Sequence, residues 1–445
     1  MSSRRKRILV IVLVLLSVVL LSGCLRVSAD ELYSLPMVSE EYLRLQAHIN
    51  LILGQGAEFA PPTGGPNRQA IQLVDLNNTG SAEVLAFFAV PGESSLRIVI
   101  FEMVDGDYTI AETIEGVGTE IESIRYVDMD GDGIKELVVG WQMGPALRYM
   151  SIYSISGFYS QLLLSGTEYS EISIFDIDGN GTEDVILFRL PTPETGAVAE
   201  VYSMMPDGEI VRAEARLSMG IESISRIQTG NLIDGTPAIF IDSNGTFEYG
   251  SLVTDVLAIH DGSLTNIPLQ AISGVSDHTV RHRMSSTDIN RDGYIKIPYL
   301  RLLEPQTETV YYAIDWYTYN SEGVRIVRLT TFHNNFDEWY LILPLDWREN
   351  VSVRREDTIP GERTIVFSFI DENDSVYHED FLAISRLSGG DVLERATRGN
   401  RELLRENGNS VFAFELLAPP DSFGLTFNED MVRENFRLIY FEWLN

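Results

Sequence analysis

The sequence predicts a mainly β fold: a β-propeller of about five four-stranded blades, followed by a small α+β domain. Three observations lead there. An acidic, Gly-punctuated loop between two apolar strands recurs at nearly even spacing. Short period-2 strands bounded by Asp-Gly, Pro-Gly, Asn-Gly and Ser-Gly turns fill residues 68–334. Past residue 335, strands give way to helical patterns.

The acidic loop lies in residues 71–88, 124–141, 172–188 and 286–300, and its first Asp is Asp75, Asp128, Asp176 or Asp288. The first two gaps are 53 and 48 residues, and the last is 112, room for one more unit. Residues 224–242 supply that unit, with the strand-turn-strand outline kept and most acids gone. A repeat of this length builds an array in which each unit buries its apolar face on its neighbours. The third unit displays four strands, at 172–176, 184–190, 199–204 and 209–215, the last after the turn Pro206-Asp207-Gly208. A closed ring of such blades leaves no long sheet edge exposed.

Residues 39–53 read as a helix. Ser39 can cap it, Glu40 and Glu41 suit its positive end, Gly54 stops it, and Tyr42, Leu45, Ile49 and Ile52 share one face. Residues 60–67, rich in Pro and Gly, form a linker. The segment 24–67 is thus an anchor and linker ahead of the propeller at 68–334, with the α+β domain at 335–445. In that last domain one helix lies within residues 391–407 and another starts at the cap Asn428. Its order of strand, Pro-x-x-Trp, meander, helix, strand and helix resembles the PsbP-like fold of small secreted domains.

The N-terminus reads as an export signal, residues 1–23. Arg4, Arg5, Lys6 and Arg7 precede an apolar run of 14 residues, 8–21. A membrane span needs about 20 residues, so the run fits a signal core. It ends in Leu21-Ser22-Gly23-Cys24, which resembles the lipobox of bacterial lipoproteins. That resemblance implies cleavage before Cys24, lipid attachment to its sulfur, and a mature chain held at the outer face of a cell membrane. Cys24 is the only Cys, which excludes an internal disulfide and a thiolate nucleophile or metal site in the mature chain. Loss of the four signal cations takes the formal charge from −32 to about −36. A surface so acidic repels nucleic acid and suits divalent cations or cationic partners.

The second loop, 128–136, places oxygens at positions 1, 3, 5 and 9: Asp128, Asp130, Asp132 and Glu136. Alternate residues of a tight loop aim carboxylates at one point, and Gly permits the fold-back. A hard cation would take these four and the backbone carbonyl of Ile134, and oxygen-only ligands favour Ca²⁺ over Zn²⁺ or Cu²⁺. At the same offsets the third loop offers Asp176, Asp178, Asn180 and Asp184, with Thr182 at position 7. The first offers Asp75, Asn77 and Glu83, with Thr79 at position 5. The fifth has Asp288, Asn290 and Asp292 but Lys296 at position 9, so it lacks its last ligand. The fourth, with Gln228, Asn231 and Asp234, reads as metal-free. Position 12 of the second loop is Val139, where an EF-hand needs a bidentate Glu. An acidic loop followed directly by an apolar strand resembles the FG-GAP/VCBS repeat family, the integrin-α-like calcium-loop propellers. The resemblance covers about residues 68–334. It implies Ca²⁺ held between two strands of a blade, as a structural ion.

Other constellations point less far. His278 and His282 stand four apart in a segment without a helical pattern. Tyr311, Tyr317 and Tyr319 would share one strand face, and Tyr312 and Trp316 the other. No metalloprotease, nucleophile-elbow, P-loop or dinucleotide signature is present in the sequence. The chain therefore reads as a membrane-anchored extracytoplasmic binding or scaffold module with a protein or cell-wall glycan partner. The alternatives are a cell-envelope enzyme acting on polysaccharide, or an accessory or sensor subunit of a membrane complex.

Overall fold

The computed structural model describes residues 40–439, apart from 93–94, 157–158, 247–250, 277, 282–283, 305–307, 372–373 and 421. The signal segment, Cys24, Ser39 and His282 lie outside the described residues. None of the described helices is long and apolar enough to cross a membrane.

Helix α1 (Glu40–Gly54) opens the described chain, and six antiparallel sheets of four or five strands follow in chain order. The first holds β3 (Glu83–Val90), β4 (Ser95–Val104) and β5 (Asp107–Val117). The short β1 (Glu58–Phe59) and β2 (Ile71–Val74) both pair with β3. The second runs β6 (Glu120–Val127), β7 (Glu136–Gly144), β8 (Leu147–Ser156), β9 (Tyr159–Tyr169). The third runs β10 (Glu171–Phe175), β11 (Asp184–Arg189), β12 (Val198–Met204), β13 (Ile210–Arg216), each within two residues of the strand expected there. The fourth runs β14 (Ile221–Asn231), β15 (Pro237–Gly245), β16 (Ser251–His260), β17 (Ser263–Asn266). Here β18 (His278–Val280) also pairs with β16, so His278 sits on a strand rather than a helix.

The fifth sheet runs β19 (Ile297–Leu302), β20 (Tyr312–Tyr319), β21 (Arg325–Asn334), β22 (Trp339–Leu343). The sixth holds β23 (Val351–Glu356), β24 (Glu362–Asp371), β25 (Asp374–Ser388), β26 (Glu402–Asn407) and β27 (Ser410–Leu416), with β27 between β25 and β26. Two short helices accompany these strands, α2 (Val392–Ala396) between β25 and β26 and α3 (Glu429–Asn435) after β27. Asn428 caps α3, its side chain accepting the Met431 N–H at 2.8 Å. The final β28 (Phe436–Leu438) returns to pair with β22. The boundary expected at 334/335 therefore falls in the turn between β21 and β22, two strands of one sheet. The reason is apolar on both faces of β22. Trp339 and Leu341 join the core shared with the sixth sheet, and Tyr340 joins a cluster on the other face.

Each sheet buries apolar side chains against the next. Phe87 and Ile98 of the first meet Ile124 and Trp141 of the second. Val138 and Met150 meet Val185 and Tyr202 of the third. Phe188 and Val201 meet Ile239 and Leu257 of the fourth. Phe240 and Val256 meet Tyr317 and Tyr319 of the fifth. Phe332 and Trp339 meet Phe367 and Phe381 of the sixth. The far face of the first sheet is covered by α1, whose Leu45 and Ile49 pack on Val84, Ala86 and Phe88. Part of the far face of the sixth is covered by α2, around Ala396. Among the described residues, no apolar cluster joins the sixth sheet to the first.

Candidate metal centres

The acidic loops share one hydrogen-bonding plan. The Asp at position 1 turns both carboxylate oxygens inward onto backbone N–H groups of its own loop. Asp75 accepts from Thr79 and Gly80, Asp128 from Gly131 and Gly133, and Asp176 from Gly179, Asn180 and Gly181. Asp288 accepts from Asp292 and Gly293. Gly131 and Gly133 have φ of +74° and +89°, the left-handed region that favours Gly. Position 2 is an apolar peg in every case: Leu76, Met129, Ile177 and Ile289 are all buried. Its N–H is tied to the position-9 acid, Glu83, Glu136 or Asp184, at 2.8 to 3.1 Å. The position-9 acid is thereby drawn under the loop from the start of the next strand, and all three are buried.

Two loops gather carboxylates. Asp128, Asp130 and Asp132 each bring one oxygen within 4.8 Å of the others, and so do Asp176, Asp178 and Asp184. Glu136 stands behind the first triad, with one oxygen on the Met129 N–H. Burial pushes its carboxyl up to about 7, and the charges of Asp130 and Asp132 add to the effect. Burial likewise raises Asp184 to about 6, with Asp178 and Asp176 adding to it. Asp130 is raised by burial and by its two neighbours. Asp184 is 1% exposed; its carboxylate takes the Ile177 N–H and a hydrogen bond from the Ser203 side chain, and two further carboxylates stand beside it. Acids crowded around a buried carboxylate repel one another unless a cation meets them. The residues of these loops therefore fit a hard divalent cation. Asn180 Oδ1 accepts from Thr182 N and Oγ1 at 2.7 and 2.6 Å, and Asp132 accepts from Ile134 N at 2.7 Å.

The remaining loops are closed by protein groups. In the first, the Asn77 amide donates to Glu83 Oε1 at 2.9 Å, and Asn77 Oδ1 takes the Thr79 N–H. In the fourth, Asp234 accepts from Ser321 N and Oγ, both at 2.7 Å, while Gln228 donates to the Ser286 carbonyl. In the fifth, Asp288 and Asp292 meet the buried ammonium of Lys296. The sequence placed Lys296 at position 9 without its reach, because the direction of a long side chain is not written in spacing.

The loops also touch one another, forming one row along the array. Lys135 N donates to Leu76 O at 2.7 Å, joining the second loop to the first. A Cβ at Gly133 would lie 3.2 Å from Asn78, and one at Gly131 would lie 3.1 Å from Thr182 of the third loop. A Cβ at Gly179 would be 3.6 Å from Pro237 of the fourth unit, and Asn231 bridges Tyr294 of the fifth.

A second feature lies where the fifth and sixth sheets meet. A cavity of about 540 Å³ is lined by Tyr311, Tyr312, Trp316, His333 and Phe336, with Arg355 at its edge. Phe336 is 66% exposed, and the Arg355 and Arg363 guanidinium groups lie over its ring at 4.8 and 4.7 Å. His333 lies half-buried between the rings of Trp316 and Tyr340, at 6.3 and 5.1 Å. Burial lowers its pKa to about 3. A register shift at Trp316/Tyr317 places the extra residue, Arg328, on β21 and leaves the alternation along β20 unbroken. Tyr317 and Tyr319 pack on the fourth sheet, while Tyr311 leans toward Phe332, 6.2 Å away.

No described protein family and no curated protein matches the chain. Among solved structures, it is similar to a protein from Lactobacillus plantarum at 8% identity and TM-score 0.29, over 72% of this chain and 85% of that one. It is similar to the rhamnogalacturonan lyase YesW at 12% identity and TM-score 0.31, over 83% and 66%. It is similar to Saccharomyces cerevisiae Sqt1 at 12% identity and TM-score 0.29, over 78% and 95%.

Proposed function

We propose that the chain is an extracytoplasmic lipoprotein, anchored through Cys24, whose propeller-like blades form a calcium-stabilised binding module. The observation that carries the calcium reading is the pair of carboxylate triads: Asp176, Asp178 and the buried Asp184 in one loop, and Asp128, Asp130 and Asp132 in the other, each with three acid oxygens within 4.8 Å of one another. The repeat, the loop plan and the apolar pegs support the FG-GAP/VCBS-like identity of the blades. Calcium would be held by Asp128, Asp130, Asp132 and Glu136 in one loop, and by Asp176, Asp178 and Asp184 in the next. When bound, it would neutralise crowded carboxylates and fix adjacent loops. A site held at about 100 times its Kd adds about 2.7 kcal/mol. The test is thermal melting of the mature chain in EDTA and in millimolar Ca²⁺, with the ions counted by native mass spectrometry. A rise in Tm with two ions bound supports the reading; identical melting sinks it.

The aromatic cavity is the place for a partner. Aromatic rings beside guanidinium groups suit a saccharide ring, which offers an apolar face and hydroxyls together. A cell-wall glycan is the partner this chemistry favours. The same cavity favours a second reading, an envelope enzyme acting on polysaccharide. Incubation with cell-wall glycans separates the two: a binder retains intact glycan, whereas an enzyme releases new ends over many turnovers.

A further inference from the structure

The fifth loop carries a cation supplied by the chain itself. The Lys296 side chain is fully buried. Its Nζ donates to Asp288 Oδ1 at 3.2 Å, to Asp292 Oδ1 at 2.5 Å and to the Tyr294 carbonyl at 2.9 Å. These three partners use all three donors of an ammonium. Counted from the first Asp, they are positions 1, 5 and 7, which in the second loop are Asp128, Asp132 and Ile134. The backbone plan is also the same. Asp288 accepts from Asp292 and Gly293, and Asp292 accepts from Tyr294, as Asp132 accepts from Ile134. Position 9, acidic in the first three loops, is here the residue that bears the charge.

We infer that the Lys296 ε-ammonium occupies the place of the divalent ion, making the fifth loop a metal-independent version of the second and third. This rests on the calcium reading of those two loops. Formal charge agrees with it. The second loop sets four carboxylates around its centre and the third sets three, whereas the fifth sets two around one fixed positive charge. The fifth loop is also tied to the fourth sheet by the Asn231–Tyr294 bridge. Calcium dependence is therefore confined to the first half of the array, and the junction of the fourth and fifth sheets stays locked without metal.

Hydrogen exchange of the full mature chain, with and without EDTA, reads this directly. Amides of residues 128–136 and 176–184 should exchange at least tenfold faster in EDTA, and those of 288–296 should not change. Equal acceleration at 288–296 would overturn the inference. Unchanged exchange in all three loops would instead remove the calcium reading. Two variants carry the test further. K296M keeps the stem and removes the charge; it should lower Tm equally in EDTA and in Ca²⁺, whatever the other loops bind. K296D, prepared in Ca²⁺, should bind one more ion than the wild type by native mass spectrometry and melt in a Ca²⁺-dependent way. A K296M protein as stable as wild type, or a K296D protein with the wild-type ion count, would show that Lys296 does not fill the place of an ion.

Discussion

Asp184, buried, and His333, half-buried between rings, are both groups whose charge the fold opposes, yet they answer to different conditions. On the calcium reading proposed above, Asp184 is a ligand of the third loop's ion, so Asp184→Asn should abolish the stabilisation from that loop. The Ca²⁺-induced rise in Tm should fall by roughly half, with one ion fewer in native mass spectra. His333 has aromatic rings beside it. Its pKa in the folded chain lies near 3, below the ordinary 6.5, so the unfolded chain binds the extra proton between these values. Its contribution to stability is full above pH 6.5 and is lost as pH falls, by about 2 kcal/mol near pH 5. His333→Gln should flatten that part of the stability profile, as measured by urea unfolding at several pH values. At this scale the sequence was legible where side chains are short. Asp128, Asp130, Asp132, Asp176, Asp178 and Asp184 meet at the expected offsets, because one or two bonds beyond the backbone leave little freedom. Asn77 was legible as an oxygen donor; its amide instead donates to Glu83, a choice that spacing does not encode.

Between strands, the packing of sheet on sheet sets stricter terms than the period-2 pattern alone. A Cβ at Gly116 of β5 would lie 2.1 Å from the ring of Trp141, which crosses from β7 of the next sheet. Gly116→Ala must displace that ring and disturb its Nε1 bond to Ser151, 3.2 Å long. The expected cost is about 1–3 kcal/mol, read as a lower urea midpoint with an unchanged slope. Strands of the third sheet were legible because turns bracket them, such as Pro206-Asp207-Gly208, where Gly208 N donates to Met205 O. The helical pattern within residues 391–407 resolves into α2 and the strand β26, since β26 finds β27 to pair with. The apolar run at residues 339–343 reads as a strand, but it does not say which sheet would take it. That choice belongs to Phe332 and Trp339 together with Phe436, which lies about a hundred residues further along the chain and close to them in the core.

Across the whole molecule, the covers at the two ends differ. Helix α1 seals the first sheet with Leu45 and Ile49, over Val84, Ala86, Phe88, Val99 and Phe101. Removal of residues 40–54 would bare that face, and an apolar face of this kind drives self-association. The truncated chain should elute as a dimer or larger species in size-exclusion chromatography with light scattering, while the chain that keeps residues 40–54 elutes smaller. An array of repeats was legible from the even spacing of Asp75, Asp128 and Asp176, and the helix over its first end from the face that Leu45, Ile49 and Ile52 share; the cover at the other end was not, because α2 comes from a segment outside the repeat.

The return of β28 to β22 gives the array an order of assembly. Five sheet-to-sheet cores join consecutive sheets, so contacts stay short in sequence and each sheet can dock as soon as it emerges from synthesis. The fifth sheet is the exception. Its outer strand waits for Phe436–Leu438, some ninety residues later, and closes only after the sixth sheet has been made. A ribosome-stalled chain ending before residue 436 should therefore protect the first four sheets from proteolysis and leave the β21–β22 hairpin open to cleavage.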